Sequence, residues 1–457
     1  MKLVTVTRGF TTGDCHLLLR YTLQMTKTET VRGLFNAVAL CAVGAEKAVS
    51  NELKKLDLKV DESLYGRVRF KADAKGLYKT LIGLRAADRV LLEIANFKAL
   101  DFDDLFEGTV GAEWESLVPK GMGLKVAKVR SNRSQLKAET SIQAIVHKAA
   151  AQRLCGKYKV NRLPEPAMLS RRESAEGVTP VKVAEVRVYI EKDIVSLLVD
   201  LSGDPLFKRG YRTEGGAAPL RETTAASLLL LSGWKRKFPL YDPFCGSGTI
   251  LIEAAMYAWD IAPGLGRRFA LNDLIIADEK IEQSVRDEFR SKIDLGGGTA
   301  SSGAAGNGNS NRLVRIAGSD EDLRSVSITS SNIARLIDIA EGRPPQRGIH
   351  STTGGAGFSD NKLGIDLKVL PMTKTLSPFN DNGFLITNPP YGKRFGDQAA
   401  AEQIYKDMAG LEERFSGWKI AVITDHSGFE SFYGKKADSC REISNGAIPS
   451  FFFQYGL

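Results

Sequence analysis

FPLYDPFCGSGTILIEAAMYA, residues 238 to 258, decides how the second half of this chain folds. A short apolar run reaches Asp242, glycines follow at 246 and 248, and an apolar helical segment starts at Thr249. This is the grammar of a strand, a ligand loop and a helix. Glycine lets a ligand approach the backbone closely, and a helix start offers unpaired N–H groups. The Gly-Lys-Ser/Thr ending of a phosphate-binding P-loop is missing, and so is a third glycine at dinucleotide spacing. Asp242 at the strand end repels a pyrophosphate but suits a ligand with a free ammonium group. S-adenosylmethionine is such a ligand.

Outward from this loop, strand-like runs alternate with helical segments from about Pro205 onward, which predicts an α/β sheet. VRIAGSD (314–320), FLITNPP (384–390) and WKIAVITD (418–425) each end in polar or turn residues. The last stretch, REISNGAIPSFFFQYGL, holds Asn445-Gly446, a strong short hairpin signal. The expectation is a mostly parallel sheet closed by an antiparallel C-terminal hairpin. Asp320 stands at the tip of the second strand. An acid there can take both ribose hydroxyls of an adenosine, or it can cap the helix that follows.

The tetrapeptide Asn388-Pro389-Pro390-Tyr391 ends the strand Phe384–Ile386. Prolines cannot continue a ladder, and they remove two N–H donors. Carbonyl oxygens and the Asn388 amide oxygen are then left to accept from an exocyclic amine, with the Tyr391 ring as a stacking face. Taken alone, the same four residues also read as a strand-ending turn. Between the first two strands, Gly296–Asn311 is low-complexity and reads as a disordered insertion. His350–Asn361 is a weaker case of the same kind.

At 457 residues the chain is long enough for two to four domains. Its 43% hydrophobic and 26% charged content is that of a soluble globular protein. No apolar run reaches 18 residues, so no membrane span is expected. Cys15, Cys41, Cys155, Cys245 and Cys440 form no CxxC pair, which argues against zinc and disulfides and for a reducing, cytoplasmic setting. The four histidines have no partners at telling spacings. Net charge is +9, unevenly placed: residues 120–212 carry 19 Lys+Arg against 9 Asp+Glu, and the remainder 44 against 45. Such a field attracts a polyanion; the plainer reading is a solvated basic face.

Residues 1–33 read as an N-terminal extension without helical periodicity, with a working start near Met25. From Leu34 a strand, a helix on Ala45, Val49, Leu53 and Leu56, and a strand at Val68–Phe70 predict a small α+β unit. A second such unit follows over 101–205. It has an amphipathic helix on Ile142, Val146, Ala149 and Leu154, and a hairpin turning at Lys192-Asp193.

DPFCGSGT, GSD and NPPY, in this order, resemble the S-adenosylmethionine-dependent amino-methyltransferases. LFKRGYRTEGGAAPLRETTAASLLLLSGW (Leu206–Trp234) carries the resemblance further, to the THUMP-domain guanine-N2 RNA methyltransferases and most of all to the bacterial 23S ribosomal RNA enzymes. This resemblance implies a ferredoxin-like domain over 34–100, a THUMP RNA-binding domain over 101–205 and a Rossmann-like methyltransferase domain over 206–457. It implies that Asp242, Phe244, Gly246, Gly248 and Thr249 surround the methionine end of the cofactor. Asp320 would hold the ribose, and Asn388, Pro389, Pro390 and Tyr391 the target base. KVAKVRSNRSQLKAETSIQAIVHKA resembles the THUMP part, so Lys125, Lys128, Arg130, Arg133, Lys137 and Lys148 are the expected RNA contacts. Relatives place an acid just after the third strand to hold the adenine; this chain has Pro371-Met372 there. The implied activity is methylation of guanine N2 in RNA, with 23S ribosomal RNA the first expected substrate. A tRNA guanine-N2 or adenine-N6 enzyme, and a non-catalytic RNA-binding factor, are the alternatives.

Overall fold

In the computed structural model, which describes residues 33–165, 181–212, 220–293, 295, 314–345, 361–390, 398–446 and 448–457, the apolar run after Leu34 is strand β1 (Phe35–Cys41). Helix α1 (Glu46–Lys55), β2 (Lys59–Leu64), β3 (Arg67–Ala72), α2 (Ala74–Gly83) and β4 (Ala87–Lys98) follow. Val49 and Leu53 of α1 are fully buried, as their spacing predicts. Asp73 starts α2 by accepting from the Gly76 N–H at 2.7 Å. The strands lie in the order β2-β3-β1-β4, each pair antiparallel. This βαββαβ arrangement is ferredoxin-like. The N-terminal extension, the insertion at 296–311 and the 350–360 stretch lie outside the described residues.

The described chain divides into two compact units, Glu93–Val199 and Gly33–Leu92 with Asp200–Leu457. The first holds α3 (Phe102–Gly111), β5 (Gly123–Asn132), α4 (Glu139–Tyr158), β6 (Val183–Glu191) and nearly all of β7 (Ile194–Asp200). Strand β5 runs parallel to β6, and β6 antiparallel to β7. The β6–β7 turn is Lys192-Asp193, both at positive φ (51° and 63°), as a tight hairpin requires. Ile142, Val146, Ala149 and Leu154 are the buried stripe of α4.

The second unit continues with α5 (Glu222–Leu231), β8 (Leu240–Asp242), α6 (Thr249–Ala258), α7 (Glu279–Arg290), β9 (Ile316–Asp320) and α8 (Leu323–Ala340). Then come β10 (Ile365–Val369), β11 (Phe384–Thr387), α9 (Gln398–Met408), α10 (Leu411–Arg414), β12 (Lys419–Thr424), α11 (Phe429–Tyr433), β13 (Ser439–Asn445) and β14 (Ile448–Tyr455). The sheet order is β10-β9-β8-β11-β12-β14-β13. It is parallel from β10 to β12; β14 alone is reversed, and β13, antiparallel to β14, runs in the direction of the other strands. The expected Rossmann-like sheet with its closing hairpin is thus present. From β8 the chain first builds outward to β9 and β10, then returns to β11 on the other side. Open α/β sheets bind ligands at the carboxyl ends of strands at such a reversal. Asp242 and Asn388 stand at the ends of the two strands that flank it.

Within this unit a buried ionic group joins the ferredoxin-like segment to the segment that follows residue 200. Arg209, 2% exposed, donates from Nε to Glu253 at 3.3 Å, from Nη1 to the Leu206 carbonyl at 2.7 Å and from Nη2 to the Arg85 carbonyl at 2.5 Å. Glu253, 1% exposed, also accepts from the Tyr211 hydroxyl at 3.3 Å. Arg209 belongs to the basic excess counted over 120–212, as does Arg212, which pairs with Glu222 at 3.4 Å. Neither is surface charge, so the field over that stretch is weaker than the bare count implies.

Candidate active site

Strand β8 delivers Asp242 to the floor of a cleft of about 530 Å³, within the range of roughly 300–1,000 Å³ that small-molecule sites occupy. Asp242 is 1% exposed and accepts on Oδ1 from the Phe244 N–H (3.0 Å) and the Thr387 hydroxyl (2.6 Å). Burial disfavours its charge, and its carboxyl is pushed up to about 7. Thr387, the last residue of β11, is thereby tied to the loop across the switch point. Nothing in the sequence marks it beyond its place before Asn388.

The glycine loop is braced from behind by α8. Thr329 donates to the Gly246 carbonyl at 2.7 Å and the Asn332 amide to the Ser247 carbonyl at 3.0 Å. Gly248, at φ +79°, precedes α6, and a Cβ there would lie 2.4 Å from Thr329 Cγ2. Gly246, at φ +55°, would meet nothing nearer than 4.0 Å. Positive φ favours glycine at both positions, and at Gly248 the packing of Thr329 also leaves no room for a side chain. Thr249 opens α6 on the cleft wall, where its hydroxyl accepts from Arg212 Nη2 at 2.5 Å.

Asp320 ends β9 with Oδ2 accepting from the Gly246 N–H at 2.9 Å and Oδ1 from the Asp322 N–H at 3.0 Å. Burial raises its carboxyl above the ordinary range. The cap of α8 is Asp322, which accepts from the Arg324 and Ser325 N–H groups at 3.0 and 3.2 Å. The capping alternative for Asp320 is therefore excluded, and its carboxylate faces the cleft.

Asn388, Pro389 and Pro390 line the same cleft, directly beyond Thr387. Tyr391 lies outside the described residues. Phe244, Gly246, Thr249 and Asp320 share this wall, together with residues that sequence reasoning left out: Ser325 and Ile328 from α8, Thr373 after β10, and Ile404 and Asp407 from α9.

In the other unit, Lys125, Lys128 and Arg130 are exposed along β5. A bulge between Val126 and Lys128 keeps all three on one face. Their β6 neighbours are Glu185, Arg187 and Tyr189 in turn. Arg133 and Lys137 are exposed in the connection to α4. Lys148 is exposed on α4, with its ammonium 5.8 Å from the Phe106 ring centre. The six cations thus divide among a strand face, a loop and a helix. Among the described residues no group of His, Cys, Asp and Glu could hold a metal ion, and no helix is long and apolar enough to cross a membrane.

Known proteins match both parts of the second unit. The family described as RMKL-like, methyltransferase domain, matches residues 209–338 and 357–452, and the RlmL ferredoxin-like domain matches 36–91. YpsC of Bacillus subtilis (strain 168), named as a candidate RNA methyltransferase, is 32% identical over 424 residues, covering 92% of this chain and 96% of its own length. The ribosomal RNA large subunit methyltransferase K/L of Marinomonas sp. (strain MWYL1) is 28% identical over 443 residues. That match covers 94% of this chain and 54% of the relative, so the chain spans about half of that protein. Among solved structures, SMU.472, a candidate methyltransferase in complex with SAH, superposes with a TM-score of 0.73 at 32% identity. The match covers 93% of this chain and 98% of that one.

Proposed function

This chain belongs to the RMKL-like methyltransferases, and from that premise we propose that it methylates the exocyclic N2 amine of a guanine in RNA, with S-adenosylmethionine as methyl donor. The observation that carries the reading is the convergence of Asp242, Gly246, Asp320 and Asn388 on one cleft at the switch point. The donor fits this lining: an open loop at Gly246 for its methionine end, a buried carboxylate at Asp242 for its ammonium, and Asp320 for the ribose hydroxyls. When bound it supplies an activated methyl group on sulfonium sulfur, already a strong leaving group.

What the chain must add is orientation. Guanine's N2 lone pair is delocalised into the ring, so the amine is a poor nucleophile. Acceptance of its two N–H bonds by the Asn388 amide oxygen and the Pro389 carbonyl favours a pyramidal nitrogen, with its lone pair aimed at the methyl carbon. Methyl transfer to N2 would release the thioether, and the surplus N2 proton would go to solvent. Catalysis is then positioning and electrostatics, and no strong base is required. A base within a helix has to be flipped out to reach such a cleft. Ribosomal RNA of the large subunit is the first substrate, in line with the name of the Marinomonas relative; tRNA is the second.

Donor binding should be linked to protons. Free Asp242 titrates near 7 because it is buried, and an ammonium placed beside it favours its charged form. Below about pH 7 the donor therefore displaces a proton, so affinity rises with pH up to about 7 and falls again above about 8, where the donor's own ammonium loses its proton. Calorimetry in buffers of different ionisation enthalpy reads this directly. Asp242→Asn should abolish the proton release; release that persists would place the ammonium elsewhere.

Residues 101–205, nearly all of which fall in the Glu93–Val199 unit, are read as the THUMP module that grips RNA. Phosphate contacts release counterions, so affinity should fall steeply with salt. Removing charge at Lys125, Lys128 or Arg130 should flatten the slope of log affinity against log salt by just under one unit per lost contact. Donor affinity should stay unchanged. RNA binding that is insensitive to salt would mean that these residues are only a solvated face. Transfer of labelled methyl groups to unmodified ribosomal RNA fragments, with duplex DNA as control, tests the substrate class.

A further inference from the structure

Strand β10 ends at Val369, and the turn that follows enters the cleft through Pro371, Met372 and Thr373. If Asp320 of β9 holds the ribose, the turn after β10, the next strand outward in the sheet, is the part of the cleft that would take the purine. Its 6-amino group needs a hydrogen-bond acceptor there, and residues 370–374 offer no carboxylate. Two carbonyls of this turn are already engaged. Pro371 O accepts from the Lys374 N–H at 2.9 Å. Met372 O accepts from the Thr375 N–H (3.1 Å), the Thr375 hydroxyl (2.8 Å) and Arg414 Nη1 (2.7 Å).

Besides Asp242 and the Asp320–Asp322 stretch, the cleft is lined by one further carboxylate. Ile404 and Asp407 of α9 stand three residues apart, so they share a helical face, and both line the cleft with Pro371, Met372 and Thr373. Helix α9 is held in place because Met372 is buried in one core with Ala401, Tyr405 and Met408 on its adjacent face. Asp407 Oδ1 accepts from the Gln403 amide at 2.9 Å. A carboxylate has about four lone-pair sites, so it can take a further donor. Ile404 supplies apolar surface beside it for the purine ring.

We propose that Asp407 accepts from the 6-amino group of the donor's adenine, supplying from α9 the acid missing after β10. The assignment rests on S-adenosylmethionine being the methyl donor. It makes the site selective for a 6-amino over a 6-oxo purine, since a carboxylate repels the oxygen of the latter.

The test is titration of S-adenosylhomocysteine and S-inosylhomocysteine into the wild-type protein, Asp407→Ala and Asp407→Asn. The wild type should prefer the adenosyl ligand. Asp407→Ala should lose about tenfold or more for it, the scale of one charge-assisted hydrogen bond, with no loss for the inosyl ligand. Asp407→Asn, which can turn an amide donor toward the 6-oxo group, should bind the inosyl ligand more tightly than the wild type does. Equal losses for both ligands, or no loss for either, would overturn the role of Asp407 while leaving the donor assignment intact. A wild type that binds neither ligand would overturn the donor assignment, and this proposal with it.

Discussion

Asn388→Ala is expected to cut turnover by roughly two orders of magnitude or more, the scale for losing one oriented polar group at a reacting centre. Donor affinity should be nearly unchanged. Asn388 follows Thr387, whose hydroxyl is fixed on Asp242 at 2.6 Å, so the strand end is rigid before any substrate arrives. Substitution at 388 removes an acceptor and leaves that tie in place. The loss therefore belongs in kcat, with little effect on the dissociation constant of S-adenosylmethionine. Single-turnover methylation and calorimetry on the same variant separate the two. Near-normal turnover would return Asn388-Pro389-Pro390 to the status of a strand-ending turn.

Glu253→Ala should destabilise the protein by about 3–5 kcal/mol, the range for breaking a buried ion pair and leaving its partner uncompensated. Arg209 is 2% exposed and Glu253 1%, so water cannot replace the lost carboxylate. Arg209 also donates to the carbonyls of Leu206 and Arg85, which ties residues of the ferredoxin-like segment to the chain after residue 200. One cooperative transition for residues 33–92 and 200–457 is therefore expected, shifted as a whole in the variant. Denaturant unfolding followed by fluorescence measures both. A loss below about 1 kcal/mol, the level of an exposed pair, would show that the pair is hydrated in solution.

Much of the catalytic half was legible because its chemistry sits at strand tips. Asp242, Asp320 and Asn388 each close an apolar run, so strand and candidate ligand were read together. Of the three acids in the SDED stretch, the two aspartates were not separable in sequence, since either can cap a helix; only the geometry gives the cap to Asp322 and the cleft to Asp320. Strand β2 escaped notice because KVDESL is a largely exposed edge strand with no apolar alternation. Thr329 and Asn332 brace the glycine loop from a helix more than 80 residues away, and no local pattern announces such a contact. Asp407 is an exposed acid on a helix with no motif around it, and only the packing of that helix against Met372 brings it to the cleft. Arg209 shows the opposite error: counted as surface charge, it is among the most buried side chains of its unit.

The central claim is that this cleft places a methyl group on guanine N2 in RNA. Its most direct test is nucleoside mass spectrometry of ribosomal and transfer RNA from cells lacking the gene, before and after incubation with the purified protein and S-adenosylmethionine. N2-methylguanosine should appear in large-subunit ribosomal RNA with the wild-type protein and be absent with Asn388→Ala. N6-methyladenosine in its place, or no new methylated nucleoside in any RNA, would contradict the account.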